Sequence, residues 1–173
     1  MLRKIISGGQ TGADRAGLDF AIEVGVEHGG AVPRGRMAED GPISQRYRLM
    51  ELSSDSYEAR TRQNVWDSDG TAIFTLGPAI SGGTKLTLDY ASEIRKPFLH
   101  IRNGNVRNDL NALMTAAERL RNFIESNNIE ILNVAGSRES GEPGIYAFTL
   151  DLLRALWKTE VKARFRCTRG KAE

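Results

Sequence analysis

Along the chain, short runs of apolar residues alternate with longer stretches in which apolar residues recur every three or four positions. The compact runs predict strands at Arg3 to Ser7, Gly29 to Val32, Thr71 to Leu76, Phe98 to Ile101 and Ile129 to Ala135, with a further short strand at Tyr47 to Leu52. The periodic stretches predict helices. The first runs to about Glu27, with Ala13, Ala16, Gly17, Phe20, Ala21 and Val24 on one stripe. Further helices start at Ser54 or Asp55 and end near Asp69-Gly70, run from about Leu86 to Ile94, span Leu110 to Ile124, and span Ile145 to Trp157 with Pro143 near the first turn. Thr11-x-x-Asp14 reads as a variant capping box for the first helix. Asn103-Gly104-Asn105 reads as a turn, and Arg34 to Gln45 as a long loop, a length at which ordered loops often carry function. Strand and helix alternate throughout. That pattern predicts an α/β fold, a mainly parallel sheet with helices on both faces, in one domain over 1–158.

Three of the strand-to-helix passages are rich in glycine: Ser7 to Asp14, Gly77 to Thr84 and Gly136 to Gly144. A strand entering a helix through small residues leaves backbone N–H groups bare at the helix start, where the helix dipole adds partial positive charge, so anions are attracted there. In a parallel sheet such passages share one edge, the usual place for a ligand. Taken singly, each glycine pair is also what a plain tight turn needs.

Composition narrows the partners. The chain has 173 residues, 40% hydrophobic and 27% charged, with a net charge of +2. That charge gives no general attraction to nucleic acid. No apolar run is long enough for a membrane span, and the first residues pass into a strand with no signal-peptide pattern, so the expected location is cytoplasmic. Cys167 is the single cysteine, and with His28 and His100 it shows no metal-ligand spacing. The basic segment 159–173 reads either as a frayed tail or, from the alternation of Val161, Ala163, Phe165 and Cys167, as an edge strand.

Several familiar motifs fail. Gly77-Pro78-Ala79-Ile80-Ser81-Gly82 has Walker A glycine spacing with Thr84 in place, but Gly83 stands where the lysine is required. Ser7-x-Gly9-x-x-Gly12 lacks the leading glycine of the dinucleotide fingerprint, and no acid follows the second strand. No Gly-x-Ser-x-Gly elbow occurs. His28 and His100 read as structural, Asp14 is accounted for by capping, and Glu139 and Glu142 are compatible with solvated loop charges. No carboxylates are spaced as an acid/base pair. Arg34, Arg36, Lys85 and Arg138 fall at the presumed ligand edge; each alone could be an ordinary surface cation, but together they suit an anion. Arg138 is the first choice, because its fork can grip a phosphate.

Ser7 to Asp19, Pro33 to Gly41, Ser81-Gly82-Gly83-Thr84 and Ala135 to Ser140 together resemble the molybdenum carrier family, a circularly permuted, YpsA-like branch of the SLOG superfamily of Rossmann-like proteins. The resemblance extends to about Trp157. It implies a Rossmann-like three-layer fold, a nucleotide or a molybdenum cofactor (molybdopterin) as ligand, and homo-oligomers, which are usual in the superfamily. The implied ligand-binding residues are Gly8, Gly9, Gly82, Gly83, Thr84, Ser137 and Arg138. With their neighbours in the same motifs, the candidate set is Gly8, Gly9, Gln10, Thr11, Gly12, Arg34, Arg36, Ser81, Gly82, Gly83, Thr84, Gly136, Ser137 and Arg138, with no metal ligand. Hydrolases of the superfamily carry Gly-Thr-x-x-Glu; here Thr87 stands in place of the glutamate, and Asp89 would project about 200° further round the helix. A threonine cannot act as a carboxylate acid/base. The expectation is therefore a non-catalytic carrier or binder of a small phosphorylated ligand, with cleavage of a nucleoside 5′-monophosphate as the alternative and binding of single-stranded nucleic acid the least favoured.

Overall fold

The computed structural model describes residues 2–78, 80–102 and 109–169, with side chains through Lys158. The predicted turn at Asn103-Gly104-Asn105 and the side chains of the basic segment lie outside the described residues. The elements are β1 (Lys4–Ile6), α1 (Ala13–Val24), β2 (Glu27–Gly29), β3 (Ala31–Val32), β4 (Met37–Ala38), β5 (Gly41–Pro42), β6 (Met50–Glu51), α2 (Tyr57–Trp66), β7 (Gly70–Thr75), α3 (Gly82–Glu93), β8 (Phe98–Arg102), α4 (Leu110–Ser126), β9 (Ile131–Gly136) and α5 (Ile145–Arg169).

Five strands form one all-parallel sheet in the order β2-β1-β9-β7-β8. The chain moves outward from β1 to β2 through α1, and outward in the opposite direction from β7 to β8 through α3. Right-handed crossovers therefore put those two helices on opposite faces. Helices α1, α4 and α5 pack together on one side, and α2 packs on α3 on the other. This is the Rossmann-like arrangement. Its main core joins Phe20, Leu120, Ile124, Phe148, Leu152 and Leu153 to the sheet residues Ile5, Phe74 and Leu132. Phe74 and Phe148 meet edge to face at 6.5 Å. At Gly17 a Cβ would come within 2.7 Å of Val134, so α1 lies closer to β9 than any other residue would allow.

Local differences from the sequence reading have local causes. Helix α1 stops at Val24 because Gly25 takes a left-handed conformation (φ 72°) and its N–H caps the last turn. Thr11 does not cap it: Gly12 is the N-cap and makes no side-chain bond. The run Gly29 to Val32 is split. Gly29 belongs to the main sheet, whereas β3 pairs with β6 in a separate two-stranded ribbon. The backbone of α5 is helical to Arg169, where an edge strand had been one reading.

The long loop folds back as an arm. Its β4–β5 hairpin and the residues around it lay Val32, Ala38, Ile43 and Tyr47 against Leu18 of α1 as a second apolar cluster. Arg36 holds the arm together. Its buried guanidinium donates to the carbonyl oxygens of Ile43 (3.3 Å), Leu49 (3.1 Å), Ser44 (3.1 Å) and Tyr47 (3.1 Å). A loop that cannot pair its carbonyls in a sheet pairs them on one cation instead. Asp19 ties the arm to both α1 and α5, accepting from Tyr47 Oη at 2.8 Å and Tyr146 Oη at 2.9 Å, and pairing with Arg46.

Burial, followed by the bond to Asp19, pushes each of these phenols up to about 12. A raised phenol keeps its proton longer folded than unfolded, so stability present below pH 10 falls as pH rises from about 10 to about 12. An absorbance titration should show two of the four tyrosines ionising near pH 12, and Asp19→Asn should bring both down.

Candidate functional site

Strands β1, β9 and β7 lie side by side and run the same way, so the three glycine passages that follow them leave from adjacent points of one sheet edge. Beyond that edge is a cleft of about 480 Å³ between the passages and α2. Of the sequence candidates, Gly8, Gln10, Ser81, Gly82, Gly83, Thr84, Gly136, Ser137 and Arg138 line it.

The others have different places. Gly9 turns with φ 70° and gives its carbonyl to Arg15 at 3.1 Å and 3.2 Å. Gly12 is crowded by the backbone of the third passage, with Ser137 O 2.5 Å from a would-be Cβ. The Thr11 hydroxyl bonds Glu39 and accepts from Glu139 N. Arg34 is exposed and pairs with Asp55 at 3.7 Å. Arg36 has its fork taken up by four carbonyls, so it is a staple of the arm and not a cleft cation.

The N–H groups predicted to be bare are largely taken at two of the three passages. The carboxylate of Glu139 accepts from Gly144 N (2.6 Å) and Tyr146 N (3.0 Å) at the start of α5. Glu142 reaches back to Leu76 N (2.6 Å) and Gly77 N (2.9 Å) at the end of β7. At the first passage, Ala13 N donates to Ser137 O at 3.2 Å and Gln10 N to Asp14 at 3.3 Å. The start of α3 is different. Ser81 makes no side-chain cap, and among the described residues no hydrogen bond reaches the N–H of Gly82, Gly83 or Thr84. Gly82 has φ 52°, and a Cβ at Gly82 or Gly83 would meet open space, so the backbone faces the cleft with nothing in front of it.

Two arginines serve the cleft differently. The Arg138 side chain makes no ion pair or hydrogen bond among the described residues; it is exposed and rests over the Tyr57 ring at 5.5 Å. Arg60, from α2, was not foreseen. It is only 9% exposed, and its Nη1 donates to Asp14 Oδ2 at 2.9 Å. Its Nε is buried with no partner. The Arg60 guanidinium lies where a Cβ of residue 8 would be, 1.4 Å from Nη1, so glycine is required there by this side chain as much as by any ligand. Burial lifts the Asp14 carboxyl above its ordinary value; Arg60, the Gln10 N–H and, more weakly, Arg138 offset this only in part. The sequence signal for Arg60 was faint but present. Helix α2 buries Arg60, Thr61 and Asn64 along with Val65, a polar face where an apolar one is usual.

Thr87 lines the cleft with its hydroxyl turned back onto Gly83 O at 2.8 Å, and Asp89 pairs with Lys85 on the surface. His100 shares a 2.8 Å bond with Thr75 Oγ1 inside β8, and His28 Nε2 accepts from Arg48 N. Among the described residues no cluster of His, Cys, Asp and Glu could hold a metal, and no helix is long and apolar enough to cross a membrane.

The model of the circularly permutated YpsA SLOG family matches residues 5–157. A crystal structure described as that of a "putative molybdenum carrier protein" from Syntrophus aciditrophicus SB is 44% identical, covers 90% of this chain and 94% of its own, and superposes with a TM-score of 0.83. No curated protein matches the chain.

Removing the Arg60 charge leaves a buried carboxylate alone. Arg60→Met should cost about 3–5 kcal/mol, the range for breaking a buried pair from one side, while the double variant with Asp14→Asn should recover much of it in denaturant unfolding. Because the folded Asp14 pKa is raised, its ionisation lowers stability as pH rises from 3.8 toward the raised value, and Asp14→Asn should remove that slope.

Proposed function

The chain belongs to the circularly permuted YpsA SLOG family, and from that premise we propose that it binds a small phosphorylated ligand, nucleotide-like or molybdopterin-like, in the cleft and carries it without transforming it. The supporting observation is the start of α3. Three uncapped N–H groups at the positive end of a twelve-residue helix face the cleft, whereas the first passage spends N–H groups on Asp14 and Ser137 O and the third on Glu139. The phosphate sits on Gly82, Gly83 and Thr84, and Arg138 closes on it from the opposite side. The Thr84 and Ser137 hydroxyls, which hold no hydrogen bond among the described residues, complete the shell. The name of the Syntrophus aciditrophicus relative supports a carried cofactor; a molybdopterin phosphate and a nucleotide phosphate suit the same donors. Homo-oligomers and a cytoplasmic location, both expected from the sequence, belong to the same reading.

One observation favours the hydrolytic alternative. Asp14 is a carboxylate inside the cleft whose raised pKa is of the kind acid/base groups show. Release of free base from a panel of nucleoside 5′-monophosphates separates the two readings, since a carrier releases none. For the carrier, mass spectrometry of the native protein should show a co-purifying phosphorylated compound. Arg138→Ala should weaken its binding by about 1.5–3 kcal/mol, the range for a charge-assisted hydrogen bond, and an unchanged affinity would take Arg138 out of the site.

A further inference from the structure

The polar groups of the cleft fall into two sets. At the rim are the α3 N–H groups and the Arg138 guanidinium, positive and without a hydrogen bond or ion pair among the described residues. At the floor are Arg60 and Asp14, which neutralise each other through one end-on bond of 2.9 Å. An end-on pair leaves atoms over. Among the described residues, Arg60 Nη2 and Asp14 Oδ1 make no hydrogen bond, and neither is sealed from the cleft as Arg60 Nε is. Beside them, the Oδ1 of Asn133 and the Nε2 of Gln10 are also without partners, although Asn133 is 2% exposed and Gln10 5%. Asn64, by contrast, spends both ends of its amide on Ala31.

A neutral floor with donors next to acceptors has no attraction for a second phosphate. It also gives no reward to hydrocarbon, which would strand buried polar atoms. It matches a planar nitrogen heterocycle whose edge carries a ring nitrogen and a neighbouring exocyclic oxygen or amino group. We propose that the Arg60–Asp14 pair reads the edge of such a ring, so that the ligand is a phosphate monoester bearing a donor–acceptor heterocycle, phosphate at the rim and ring at the floor. This rests on the phosphate reading above and adds the residues that recognise the ligand's other end. It also accounts for the buried, unpartnered Arg60 Nε. The helix keeps an awkward arginine there because the remaining fork has a ligand to meet.

The test is calorimetric titration of the full chain with four compounds: inosine 5′-monophosphate, adenosine 5′-monophosphate, purine riboside 5′-monophosphate, whose ring lacks the exocyclic group, and ribose 5-phosphate. At least one of the first two should bind about tenfold or more tighter than the last two, the discrimination expected where an unmade bond leaves buried groups unpaired. Asp14→Asn and Arg60→Gln should erase that preference. Equal affinity for all four in the unaltered chain assigns the pair to the sugar or to structure alone and overturns this inference while sparing the phosphate reading. Silence of all four overturns this inference together with the nucleotide form of the phosphate reading, whose own test is the co-purifying compound. The comparison among ligands needs no variant, so a substitution that fails to fold does not blunt it.

Discussion

Strand β9 hydrogen-bonds to β1 on one side and to β7 on the other. The last strand of the sheet to be synthesised is therefore its middle strand. The cleft is built on this insertion, because only with β9 in place do the passages after β1, β9 and β7 stand next to one another. Contacts such as Ala13 N to Ser137 O, or Glu142 to Leu76 N and Gly77 N, then stitch distant parts of the chain at that edge. These are long-range closures whose entropy cost must be met before any of them is rewarded. The site thus draws on strands from both ends of the chain.

Acidic side chains then decide which helix start stays available. Glu139 caps α5 and Glu142 caps the end of β7, while Glu39 reaches from the arm to Thr11 and to the N–H and hydroxyl of Ser140. Each fills a seat that an anion from solution could have used. On the proposed reading, specificity for one phosphate position would follow from occupying the others with carboxylates already attached. The burial of Arg60 against Asp14 follows the same logic at the floor, where the protein supplies its own counter-charge.

The parallel architecture and the three glycine passages were legible because their signals are local: apolar period, small residues and their order. The candidate site was legible where backbone makes it, at Gly8, Gly82, Gly83 and Gly136. It was less so where side chains choose partners far along the chain. Arg36 stood in a glycine-rich loop beside the expected edge, and its partners are carbonyl oxygens, which carry no sequence signature. Arg60 stood on a helix whose polar face was only a faint signal, 46 positions from the carboxylate that holds it. Asp14 looked like a capping residue, but α1 has no side-chain cap; its carboxylate accepts from Gln10 N, ahead of the helix, and from Arg60, which sets it in the cleft.

The sheet also fixes which way the molecule faces. Leu2 is buried at the start of β1, and the strands run from that end toward the cleft. The amino end of β1 therefore emerges on the side turned away from the cleft. A surface or affinity matrix grafted there would hold the molecule with its cleft directed outward, unobstructed by the attachment.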